Sequence, residues 1–75
     1  MSQLGIIWGL VLVPRLRRVR NQRALTQEEL AERAGVSRNT VMRGEQGAEV
    51  RQSSVRKLAR ALGVSPAALQ RPDEN

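Results

Sequence analysis

The stretch LTQEELAERAGVSRNTVMRGEQG, from Leu25 to Gly47, limits the possible folds more than any other part of the chain. It reads as a helix, a tight turn and a second helix. Thr26 is a good N-cap, and Glu29 three residues on completes a capping box. Glu28, Glu29 and Glu32 lie in the first turns, where the helix dipole favours negative charge. Leu30, Ala31 and Ala34 recur at helical spacing and face a core, with Ala31 small enough for a close helix crossing. Gly35 suits the left-handed position that ends a helix. Val36 then plugs the corner and Ser37 caps the second helix. On that helix Val41 points inward, and Arg38, Asn39, Met42 and Arg43 share the outer face. Gly47 stops it.

The flanks supply three more helices. Pro14 suits the start of a helix covering roughly 15 to 23, with Leu16 and Val19 inside. Arg15, Arg17, Arg18 and Arg23 lie outside, and Arg20 falls on the inner edge. After Gly47, the segment AEVRQ reads as a loop and Ser53 as an N-cap. A fourth helix then spans about 54 to 62. Val55, Leu58, Ala59 and Leu62 form its apolar stripe, and Arg56, Lys57 and Arg60 its wet side. Gly63 ends it, Val64 closes the corner, and Ser65–Pro66 opens a short fifth helix through Leu69. Residues 71–75 form a polar tail expected to be disordered.

Residues 1–14 are different. LGIIWGLVLV is a ten-residue apolar run ending at Val13. A bilayer span takes about 20 apolar residues, so the run is too short to cross. No basic residue precedes it, which argues against a secretory signal. Its bulky, branched residues favour a strand. It reads as an arm packed on the domain or paired across a dimer, or as leader sequence without an evolved role. A surface anchor aided by Arg15, Arg17 and Arg18 is the reading least favoured.

Composition narrows the chemistry. With 75 residues there is room for one domain, and dimerisation would widen a thin stability margin. The formal net charge of +6, nearly all of it arginine, favours a polyanionic partner, although solubility alone also explains it. The chain has no cysteine, histidine or tyrosine. That removes disulfides, thiolate metal sites and the usual general base. No enzymatic activity, metal or cofactor is expected. A polar, basic helix held by a capped helix–turn–helix instead suits insertion into the major groove of DNA.

At TQEELAERAGVS the chain resembles the phage Cro/CI-type repressors, the XRE family of helix-turn-helix domains. The resemblance runs from about Arg15 to Leu69. It implies an all-α, five-helix lambda-repressor-like domain, here with an extra apolar N-terminal arm. The domain is expected over residues 15–70, after an arm or leader at 1–14. The resemblance further implies sequence-specific binding to double-stranded DNA, usually as a dimer. It also implies an ion pair between Arg20 and Glu45, and backbone contact by Gln27, which could equally brace Arg38.

The expected role is a cytoplasmic, nucleoid-associated transcription regulator, a repressor first of all. Arg38, Asn39 and Arg43 are candidates for base edges, since arginine grips guanine and asparagine grips adenine in bidentate fashion. Met42 could touch a thymine methyl or cover the core edge. Gln27, Ser37, Thr40, Gln46 and Arg51 are candidate phosphate ligands; each could instead be a solvated surface side chain. The alternative is an antitoxin-like or adaptor module that uses the arm to hold a protein such as a toxin.

One position departs from the family pattern. Gly44 stands where relatives carry a large apolar or aromatic side chain. Glycine costs about 1 kcal/mol of helix propensity there. It should also leave a hole: either Trp8, the only aromatic residue, folds back to fill it, or the second helix is loosened and binding is weak.

Overall fold

The computed structural model describes residues 9–73. Five helices carry the fold: α1 (Leu16–Gln22), α2 (Gln27–Ala34), α3 (Arg38–Glu45), α4 (Gln52–Leu62) and α5 (Pro66–Gln70). Two short strands, β1 (Leu10–Val11) and β2 (Val50–Arg51), pair antiparallel, with Leu10 opposite Arg51 and Val11 opposite Val50. The apolar run therefore ends as a strand against its own domain.

Local chemistry sets most of the boundaries. The Thr26 hydroxyl accepts from the Glu29 amide at 3.0 Å, and the Glu29 carboxylate accepts from the Thr26 amide at 2.9 Å. Gly35 ends α2 in the left-handed conformation, at φ 74°. Ser37 and Ser65 cap α3 and α5 by accepting from Thr40 and Ala68 amides.

Helix α1 ends by the same geometry without a glycine. The Ala24 amide donates to the Asn21 carbonyl and the Leu25 amide to Arg20, a Schellman closure with Ala24 at φ 57°. A Cβ in this region is strained. Exposed Arg23 donates through Nε to the Leu62 carbonyl at 2.9 Å, which occupies an orphan acceptor at the end of α4. The Arg15 amide donates to Leu69, tying the start of α1 to α5.

The tail expected to be disordered is docked as far as Asp73, whose carboxylate accepts from Arg18 Nε at 2.8 Å. Two further expectations need correction. Helix α4 begins at Gln52, not 54, and Ser53 is inside it rather than its cap. Arg51 holds the N-cap position with no side-chain hydrogen bond. The reason lies in the arm: the Gln52 amide donates to the Gly9 carbonyl, so a backbone oxygen takes the place of a capping side chain. The AEVRQ segment is consequently not all loop, because Val50 and Arg51 form β2.

The second correction concerns Gly44. There is no hole beside it. A Cβ on Gly44 would lie 3.0 Å from Val13 Cγ2, 3.1 Å from Leu16 Cδ2 and 3.5 Å from Val50 Cγ1. Val13, carried in by the arm, occupies the space that a larger α3 side chain would take. Trp8 lies outside the described residues.

Among the described residues the core is wholly aliphatic. Val13, Leu16, Leu30, Val41, Val55, Leu58, Leu62 and Leu69 are its largest fully buried side chains. Val50 and Leu25 join them, so the α3–α4 and α1–α2 connections are anchored inside, as the arm is through Val13. Helix α2 packs against both α3 and α4, and that contact holds α3 on the outside of the domain.

Candidate nucleic-acid interface

Helix α3 is held by its inner face and its ends. Val41 and Gly44 are buried against the core. Arg38, Asn39 and Arg43 are exposed and Met42 is half-buried. A helix turns about 100° per residue, so these four positions fall within one outward arc. Met42 at its edge both covers core and faces outward.

Beneath α3 sits a carboxylate hub. The Glu45 side chain is fully enclosed. It accepts from the Arg20 guanidinium through Nε and, at 2.9 Å, through Nη2. Gln27 Nε2 donates to it at 2.9 Å, and exposed Arg17 approaches at 3.4 Å. Arg20 also donates to the Leu25 carbonyl at 2.8 Å. The end of α3 is thereby tied to α1 and to the start of α2. Burial, the largest single influence, pushes the Glu45 carboxyl up. The hydrogen bonds from Arg20 and Gln27, the Arg20 charge and the Arg17 contact outweigh it, so the group titrates below its ordinary value. The Arg20 guanidinium is held above its ordinary value, mainly by its hydrogen bond to Glu45.

This hub fixes Gln27. Its Nε2 donates to Glu45, no hydrogen bond joins its Oε1 to Arg38 among the described residues, and the second amide hydrogen has no acceptor among them. Ser37 and Thr40 also have structural duties. Their hydroxyls lie 2.9 Å apart, and Ser37 accepts from the Thr40 amide at 3.1 Å. One hydroxyl proton of the two must serve this contact, and the other is free to donate outward.

A cleft of about 420 Å³ opens beside α3, lined by Leu10, Thr40, Arg43, Glu49, Arg51 and Ser54. It brings together Thr40, Arg43 and Arg51, three of the sequence candidates. Gln46 is the exposed C-cap of α3. Arg38, Arg43 and Arg51 form no salt bridge among the described residues. Leu10, Ser54 and Val50, which also line the cleft, escaped the sequence reading. Ser54 is there because α4 starts two residues earlier than its sequence suggests, and Leu10 because β1 pairs with β2. Neither carries a local signal for that placement.

Among the described residues, no helix is long and apolar enough to cross a membrane. A family model for helix-turn-helix domains, HTH_3, matches residues 16–69. Among solved structures, the chain is similar to a protein from Neisseria described as a hypothetical transcription factor, NHTF. The two share 33% identity with a TM-score of 0.72, covering 80% of this chain and 70% of the other. No curated protein matches significantly. The match over most of the chain, together with the capped α2–turn–α3 unit and its exposed basic helix, shows that this protein belongs to the XRE-type helix-turn-helix family.

Proposed function

We propose that the protein is a transcription regulator, a repressor first of all, that reads operator DNA by placing α3 in the major groove. The observation that carries this reading is the outer face of α3. Arg38, Asn39 and Arg43 are exposed there, and neither arginine is engaged by a carboxylate among the described residues. Arginine matches guanine O6 and N7, and asparagine matches adenine N6 and N7; each good bidentate contact discriminates by about 1–3 kcal/mol. Half-buried Met42 supplies an apolar contact for a thymine methyl.

Phosphates flank this helix. Arg51 and Thr40 take one strand at the cleft. Gln27 and the free amides at the start of α2 take the other, because helix N-termini attract phosphate. Ser37 and Gln46 serve the same backbone at the two ends of α3. A homodimer would set two recognition helices one turn of DNA apart, about 34 Å. A cytoplasmic, nucleoid-associated location follows from that role.

The test is selection of bound duplexes from a random pool at fixed salt. The expected product is a palindromic consensus containing guanine and adenine steps. Recovery without sequence enrichment would overturn the reading. A second reading, an antitoxin-like module that holds a protein on the arm, draws on the exposure of Leu10 and Leu12, 41% and 50%. Co-purification of a stoichiometric partner, lost on Leu12→Asp, would favour it.

A further inference from the structure

The arm touches the candidate interface at three places. Leu10 and Val11 pair with Arg51 and Val50 across the β1–β2 ladder. The Gly9 carbonyl accepts the first amide of α4, at Gln52. Leu10, 41% exposed, lines the same cleft as Thr40, Arg43 and Arg51. Arg51 has no side-chain cap bond and no ion pair among the described residues to hold it. Its backbone is placed by β1 on one side and by buried Val50 on the other.

We propose that β1 is a working part of the DNA-binding surface: it positions Arg51 for phosphate contact and sets Leu10 as an apolar wall of the cleft that the sugar–phosphate strand enters. This rests on the DNA reading above and deepens it. A two-residue strand is not a stable element alone. Its function here is to convert a free α3–α4 connection into a fixed one. Arg51 thereby meets the phosphate already ordered, which lowers the cost of immobilising it on binding. Leu10 makes its part of the cleft wall neutral, and among the described residues Glu49 is the only negative charge lining the cleft.

Three variants of the full chain test this, with affinity for the selected duplex measured against salt. Val11→Pro puts a residue with no amide hydrogen into the ladder. It is expected to weaken binding about tenfold and reduce the salt slope by about 0.9, the loss of one phosphate contact. Arg51→Ala on top of it should add almost nothing. Val13→Ala lowers stability through the core without touching the ladder. Assayed well below its melting point, it should keep the wild-type slope. Leu10→Glu perturbs neither core nor ladder. It is expected to weaken binding at least tenfold, whereas Leu10→Gln stays within about threefold; this pair decides the matter if Val11→Pro does not fold. Full affinity in Leu10→Glu, or additive losses from Val11→Pro and Arg51→Ala, would overturn the proposal while leaving the DNA reading intact. Loss of the DNA reading itself has a different signature, a wild-type protein that binds no duplex.

Discussion

Val13 stands where the side chain of residue 44 would otherwise be: its Cγ2 is 3.0 Å from the point a Cβ on Gly44 would occupy. The arm and α3 are therefore complementary in volume, and a change at one should be felt at the other.

Gly44→Leu is expected to destabilise the protein by about 1–3 kcal/mol through overpacking, despite a gain of about 1 kcal/mol in helix propensity. Val13→Ala alone also lowers the melting temperature. Combining the two should recover part of the loss, a favourable coupling of about 1 kcal/mol. Strict additivity in urea unfolding would contradict the packing described.

Glu45 makes stability depend on acid. Its folded value lies below its unfolded one, so its contribution is fully present above the ordinary glutamate value of 4.5 and is lost as pH falls through the lower folded value. Melting temperature should drop more steeply below pH 4.5 in the wild type than in Glu45→Gln. At neutral pH, Glu45→Gln should cost about 3 kcal/mol, because Arg20 keeps its charge in a mostly buried place. Parallel pH profiles for the two proteins would count against the hub.

Ala24 closes α1 in a conformation that disfavours a Cβ. Ala24→Gly is expected to gain about 1 kcal/mol by removing that strain. In a domain this small, that raises the melting temperature by about 4–8 °C. DNA affinity should not move, since the residue lies away from α3 and the cleft. A lower melting temperature would contradict the assigned geometry.

How far the sequence revealed this fold depends on range. Thr26, Glu29, Gly35, Ser37 and Ser65 act on amides and carbonyls within a few residues, so the helix–turn–helix and most helix ends were legible in the chain. Branched residues also marked a strand in the apolar run, of which the described residues show Leu10–Val11. Its partner was not legible, because three helices separate Leu10 from Arg51 along the chain. The same long-range pairing hid the true start of α4 and the presence of Leu10 and Ser54 at the cleft. Val13 beside Gly44 carries no local signal for that placement, and the Trp8 expectation lies outside the described residues. Ala24 carries no turn signal at all.

Arg38 and Arg51 should differ in kind. Arg38→Ala is expected to relax base preference at one operator position, by about 1–3 kcal/mol. Arg51→Ala should weaken all duplexes evenly and lower the salt slope by about 0.9. Equal effects of both on every sequence would remove the division between reading and anchoring.

The central claim is that the outer face of α3 touches base edges. Titration of the ¹⁵N-labelled protein with its selected duplex, followed by amide and side-chain shifts, tests it most directly. The expected result is the largest change at Arg38, Asn39, Met42 and Arg43, with Arg51 and Gln27 responding also to unrelated DNA. A silent α3 face, with shifts confined to other surfaces, would contradict the account.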